Sequence, residues 1–261
     1  VSEPLLVRRE AAVAHVVLSR PEVRNAFNAD LIARLRAAFE SLAADPGVRA
    51  IVLSGAGKTF CGGADVQWMR GALELSRAEN VADAAAMSRM FRALDNVPKL
   101  LIGRIHGAAL GGGAGLAAVC DVVVASDETV FGFTETRLGI LPAVISPFVL
   151  AKIGPSHARA LALTGERFGA QRALAIGLVH EVAPAADLDA RVERILAEGL
   201  AAGPTALAKT KALLAAVRAT SYDATLELTA EAIAAQRTSA EGQAGLRAFL
   251  EKHPPPWLEP R

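Results

Sequence analysis

Apolar and polar positions alternate in two short runs near the start of the chain, residues 5–9 and 13–18. This pattern predicts a pair of strands around a Glu10-Ala11-Ala12 turn. Arg20-Pro21-Glu22 ends the second run, and a helical period follows over residues 28–44, with Leu31, Leu35, Phe39 and Leu42 on one face. Asp45-Pro46-Gly47 stops it, and Ala50-Ile51-Val52-Leu53 fits a buried strand. A short helix is predicted from near Asp65, a longer one over 80–95 with Met87, Met90, Phe91 and Leu94 at helical spacing, then a strand over 100–105. Residues 114–119 fit a buried helix, Val122-Val123-Val124 another buried strand, and residues 130–133 one more. From Ile145 the pattern turns helical, over 145–153, 155–163, 170–176, 188–202, 205–217 and 222–236, with one brief strand at 177–182. Repeated strand–helix–strand crossovers favour a mostly parallel sheet, so the chain is predicted to be α/β, a sheet-rich core followed by a helical region.

Composition narrows the class. At 261 residues the chain can bury the core of one large α/β domain, or a core with a small appendage. Lys and Arg number 28 against 27 Asp and Glu, a net charge of +1 without basic blocks, so no nucleic-acid partner is expected. Cys61 and Cys120 sit among small and apolar residues, which suits a reduced, cytoplasmic protein better than a disulfide framework. No apolar run reaches the roughly 18 residues of a membrane span, and the N-terminal residues carry no apolar signal core. The five histidines are scattered, so no metal site is expected.

The stretch with the most chemistry is RIHGAALGGGAGLAAVCD, residues 104–121. Three glycines, Gly111-Gly112-Gly113, precede the Ala/Leu-rich helix and let backbone approach a ligand without a Cβ in the way. Free N–H groups at a helix start, backed by the helix dipole, can hold developing negative charge. Two other readings stay open: a tight helix–strand contact, and a dinucleotide fingerprint, since Gly113-Ala114-Gly115-Leu116-Ala117-Ala118 matches G-x-G-x-x-A with Glu135 about 20 residues on. Residues 107–112 separate that match from its strand, where the fingerprint should follow at once.

Several segments together resemble the crotonase (enoyl-CoA hydratase/isomerase) superfamily. Gly55-Ala56-Gly57-Lys58-Thr59-Phe60-Cys61-Gly62-Gly63-Ala64-Asp65 is similar to its first oxyanion loop, and residues 107–121 to its second. Phe131-Gly132-Phe133-Thr134-Glu135-Thr136-Arg137-Leu138-Gly139 resembles its catalytic-acid segment, and Thr164-Gly165-Glu166-Arg167-Phe168, Ala173 and Gly177-Leu178-Val179 its later helix-and-strand stretch. Phe249-Leu250-Glu251-Lys252 resembles its C-terminal motif. Asp65-Val66-Gln67-Trp68-Met69-Arg70 and residues 141–149 look most like the methylglutaconyl-CoA hydratase-like branch of leucine and isoprenoid breakdown.

The resemblance implies a crotonase-like ββα superhelix over residues 1–197, a helical trimerisation region over 198–261, and a homotrimer or dimer of trimers. The backbone N–H groups of Ala64 and Gly112 would bind the thioester oxygen of an acyl-CoA, and Glu135 would move the proton, its carboxyl shifted by a wall of Phe131, Phe133, Ile140 and Leu141. Gly111 would border that loop. Arg24 and Ala26 would meet the pantetheine and phosphates, Asp65 and Val66 the adenine side, and Phe249 and Lys252 the CoA of a neighbouring subunit. Trp68 and Met69 would shape the acyl pocket or fill core, and Arg70 or Arg137 could pair a substrate carboxylate. Coenzyme A is then part of the substrate and no separate cofactor is expected. Well-known hydratases carry a second glutamate where this chain has Gly115. The expected activity is hydration of an α,β-unsaturated acyl-CoA, branched or carboxylated substrates included. The alternatives are a Δ3-Δ2 enoyl-CoA isomerase working with Glu135 alone, and a non-catalytic binding protein of the same fold. Gly112→Pro is expected to abolish turnover and Gly113→Ala to be tolerated.

Overall fold

A computed structural model describes residues 3–258. The chain opens with the antiparallel pair β1 (Leu5–Glu10) and β2 (Val13–Leu18), then α1 (Ala29–Ala44), where Asn28 caps the first turn by accepting from the Leu31 N–H at 2.9 Å. β3 (Ala50–Gly55), α2 (Val66–Ala72), α3 (Arg77–Asp95) and β4 (Leu100–Ile105) follow. α3 starts three residues before the apolar pattern does, because Ser76 and Glu79 close a reciprocal capping box. β5 (Ala108–Leu110), α4 (Gly112–Val119), β6 (Val122–Ser126) and β7 (Val130–Gly132) carry the chain to α5 (Ser146–Thr164), which breaks at Gly154-Pro155 as the two predicted helices require. β8 (Arg167–Gly169), α6 (Ala170–Ala175), β9 (Glu181–Ala183), α7 (Leu188–Ala201), α8 (Pro204–Ala219), α9 (Thr225–Arg237) and α10 (Ala240–Glu251) complete it.

Six strands form one sheet in the order β1-β2-β3-β4-β6-β9, parallel except for the first pair. The two-residue period divides its side chains cleanly. Ala14, Val16, Ile51, Leu53, Leu101 and Val123 face a large core shared with α1, α3, α4 and α5. Val13, Ala50, Val52, Ile102 and Val124 face Leu188, Val192 and Leu196 of α7. Helices cover both faces, which is why these strands read as unbroken apolar runs. The boundary expected at 197/198 falls inside α7; the helices beyond that layer begin with α8.

Residues 130–133 do not extend this sheet. β7 belongs to a second, three-stranded sheet, β5-β7-β8. Of the strand expected at 177–182, only its end pairs as β9; Gly177 turns at φ 80° and Leu178 and Val179 pack into the core as coil. No helix among the described residues is long and apolar enough to cross a membrane.

Candidate active site

The two glycine loops are zipped to each other. Cys61 bridges Ala109, its N–H donating to Ala108 O at 3.0 Å and its carbonyl accepting from the Leu110 N–H at 3.1 Å. Phe27 bridges Ala64 from the other side: the Phe27 N–H donates to Gly63 O (2.7 Å), and the Asp65 N–H to Phe27 O (2.9 Å). In extended backbone successive N–H groups point in opposite directions, so this pairing turns the Ala64 N–H away from Phe27. Gly112 is the first residue of α4, where N–H groups lack intrahelical partners. Among the described residues neither the Ala64 nor the Gly112 N–H has an acceptor.

Each of these donors follows a glycine at positive φ, Gly63 at 99° and Gly111 at 51°. Space matters as much as conformation here. A Cβ on Gly113 would lie 2.4 Å from Cys61 O, so Gly113→Ala, expected to be harmless, forces the two loops apart. A Cβ on Gly111 would lie 3.1 Å from Glu135 Oε1.

Glu135 arrives there through the second sheet. The Gly111 N–H donates to Gly132 O (2.8 Å), which fixes the loop three residues ahead of Glu135. The 3₁₀ turn Glu135–Leu138 is tied to the end of α5 by Thr136 Oγ1 donating to Ala162 O (2.8 Å) and Arg137 Nε to Thr164 O (3.3 Å). Burial pushes the Glu135 carboxyl above its ordinary value, opposed in part by a bond from its own backbone N–H. Its Oε2 is buried without a hydrogen-bond partner. Phe131 and Phe133 do not build the wall expected for it: both are core residues beside Phe168. Ile140 and Leu141 are at the site as expected.

Ala64, Gly111, Gly112 and Glu135 share one cavity of about 280 Å³. Trp68, Met69, Met87, Leu138, Val144 and Ile145 give it apolar walls. Among the lining residues that the sequence reading did not place at the site is Asp83 of α3, a second carboxylate. Burial raises its pKa, and a hydrogen bond from the Trp68 side chain opposes the rise. The space at Gly115 is taken: a Cβ there would meet Ile145 Cγ2 at 2.3 Å and Phe91 Cζ at 3.1 Å. The arrangement can hold a small apolar group whose oxygen receives two N–H donors, beside a carboxylate able to take and return a proton. It does not suit a dinucleotide, because Glu135 occupies the place over the start of α4 where a pyrophosphate would sit.

Comparison with known proteins agrees. The family model for enoyl-CoA hydratase/isomerase matches residues 8–260. The chain belongs to the enoyl-CoA hydratase/isomerase family. That is the crotonase superfamily, a family of enzymes. A crotonyl-CoA hydratase of Syntrophomonas wolfei is 31% identical over 252 residues, 96% of each chain. The structure of Pseudomonas aeruginosa AtuE superposes with a TM-score of 0.95 at 40% identity, covering 98% of this chain and all (100%) of that one. An enoyl-CoA hydratase from Shewanella pealeana gives 0.94 at 36%, covering 98% and 96%.

Of the positions that the crotonase resemblance singles out, Ala64, Trp68, Met69, Gly111, Gly112 and Glu135 line the cavity. Arg24, Ala26, Asp65, Val66, Phe249 and Lys252 do not. Asp65 is not free to meet an adenine through its side chain: it caps α2 by accepting from the Gln67 N–H (2.8 Å) and pairs with Arg20 (2.7 Å). Its burial raises the carboxyl pKa, but Arg20 and the capping bonds outweigh this and hold it below its ordinary value. Arg20, read in the sequence only as part of a strand break, also donates to Ala26 O and so ties the loop at 24–27 to α2. Asn25 completes that brace, fully buried, its Nδ2 donating to Ala56 O (2.8 Å) and Thr59 O (2.7 Å). Ala26 is buried, and Arg24 is an exposed left-handed turn residue whose carbonyl accepts from the Gly62 N–H (2.8 Å) at the cavity wall. Val66 is exposed outside the cavity, as are Phe249 and Lys252 at the end of α10. Arg70 and Arg137 are exposed too and do not line it.

Proposed function

We propose that the protein adds water across the double bond of an α,β-unsaturated acyl-CoA thioester. The observation that carries this is the meeting of two unpaired N–H donors with a carboxylate whose Oε2 has no partner, on one apolar cavity. The thioester oxygen would take both N–H bonds. Glu135 would accept a proton from water as the water oxygen bonds to Cβ, and the double-bond electrons would pass to the thioester as an enolate. The protonated Glu135 would then return its proton to Cα, so water is added and the enzyme restored. Preorganised donors of this kind contribute ~3–4 kcal/mol each. No metal is called on, and coenzyme A enters as part of the substrate.

A second reading rests on the filled space at Gly115. With one carboxylate at the reacting carbons, Glu135 could instead take a proton from C2 of a 3-enoyl-CoA and deliver it to C4. Incubating the protein with crotonyl-CoA and with a 3-enoyl-CoA, and following products by mass spectrometry, separates the two. Hydration of neither removes the first.

The lining also bears on the acyl group. Among the described residues that line the cavity none is Arg, Lys or His, while two are carboxylates. A carboxylated acyl group would be buried against like charge, so we favour an uncharged one. For assembly we infer a homotrimer or dimer of trimers: Leu214, Tyr222, Leu226, Phe249 and Leu250 are exposed on or beside α8–α10. In that assembly Phe249 and Lys252 would serve a neighbour's CoA, with Arg24 at the mouth of the cavity. Light scattering that found a single 27.1 kDa species would remove this reading.

A further inference from the structure

Asp83 lines two cavities. One is the acyl cavity just described; the other, about 310 Å³, lies between α1 and α3. Ile32, Ala33 and Ala37 of α1 and Ala86 of α3 line the second, with the Arg36–Glu40 ion pair (2.7 Å) also on its wall. The small side chains leave that space open. Between the two spaces stands one half-buried carboxylate, the one described residue that lines both. Asp83 of α3 and Trp68 of α2 both line the acyl cavity. An acyl chain reaching this point meets both a steric wall and a polar group that would lose water against methylenes.

Resting on the acyl-CoA reading above, we propose that Asp83 is the partition that sets the acyl-chain limit of this enzyme. Short 2-enoyl groups end at Asp83. Taking its side chain away joins the two cavities and lets a longer chain run on between α1 and α3. Asp83 on this account is a specificity residue that does not take part in proton transfer.

The test compares wild type, Asp83→Ala and Asp83→Asn on crotonyl-CoA and 2-decenoyl-CoA. Calorimetry with butyryl-CoA and decanoyl-CoA runs beside it and needs no turnover. Alanine is a good helix residue, so Asp83→Ala suits this half-buried position. Each methylene seated in apolar surroundings is worth about fourfold (~0.8 kcal/mol), so three or more would raise the ratio well beyond tenfold. Asp83→Ala should raise the kcat/KM ratio of decenoyl to crotonyl substrate at least tenfold and tighten decanoyl-CoA relative to butyryl-CoA. Asp83→Asn keeps the size and a polar end to the side chain, so it should hold the wild-type ratio. An unchanged ratio in Asp83→Ala, or an equal rise in Asp83→Asn, overturns the partition. If wild type hydrates neither substrate, the functional reading fails by itself, and the two calorimetric affinities still decide on the partition.

Discussion

Replacing Glu135 with glutamine tests the chemistry and the folding cost of the site together. Glutamine keeps the size and the hydrogen-bonding reach of the side chain but cannot carry the proton. General acid–base catalysis contributes about 10²–10⁴-fold, or ~2.7–5.4 kcal/mol at ~1.36 kcal/mol per decade, and kcat should fall by that much. A second carboxylate cannot compensate from position 115, because Ile145 and Phe91 fill the space where its Cβ would stand. Stability should move the other way. The Glu135 carboxyl is raised above its ordinary 4.5 by burial, and its Oε2 has no partner. A group raised in the folded state binds protons more tightly there than in the unfolded chain. Wild type therefore has its full stability below about 4.5 and loses part of it as pH rises through the folded-state value. Glutamine is neutral throughout, so the Tm of the variant should match wild type near pH 4 and exceed it by a growing margin toward pH 7. The acid limb of wild-type kcat/KM should likewise lie above 4.5. The assay pairs kcat on crotonyl-CoA with thermal melts across that range. A variant that keeps kcat within a few-fold refutes the proton-transfer role; one that loses both activity and Tm shows that the loss came from misfolding.

Three further substitutions probe the frame. Arg20→Met leaves Asp65 buried without its cation, which should cost about 3–5 kcal/mol in urea unfolding and raise KM by loosening the loop at 24–27. Gly113→Ala, read from sequence as mild, should lose most of kcat and about 1–3 kcal/mol of stability, because its Cβ meets Cys61 O at 2.4 Å. Gly115→Glu should lower Tm without improving hydration, and Ile145→Ala in the same chain should recover Tm by clearing the 2.3 Å contact, as parallel melts would show.

What could be read before the structure follows from where the physical signal lies. The main sheet was legible because β3, β4 and β6 are apolar on both faces with helical stretches between them; the assignment of Ala50 and Val52 to the α7 side needed coordinates. The second sheet was not legible. β5 is Ala-Ala-Leu, three residues with no pattern, and it exists because Cys61 and β7 pair with it. The brace of Arg20, Asn25 and Asp65 was hidden for a related reason. Their partners lie 45 residues apart in the Arg20–Asp65 pair and 31 and 34 apart for Asn25, and polar pairing leaves no period in the sequence. The two glycine runs were visible in the sequence, although the positive φ of Gly63 and Gly111 was not.

The two aspartates near the site show how far a motif can be trusted for a side chain. Asp65 stands inside the oxyanion-loop motif and invites a ligand role, yet one oxygen caps α2 and the other holds Arg20. Residue 65 is where a helix starts, and a carboxylate there is drawn to the unsatisfied N–H groups before any ligand arrives. Asp83 stands outside every motif. It was passed over, yet a signal was present in the sequence: Met87, Met90, Phe91 and Leu94 trace the buried stripe of α3, and one turn back from Met87 that stripe reaches residue 83. A carboxylate on an otherwise apolar stripe is the informative exception in such a pattern, since a buried acid needs a partner or a purpose. Its position is the wall that the two cavities share. Motif position marked the glycine loops that the structure brings to the cavity, whereas Asp83, whose signal is a break in periodicity, was passed over.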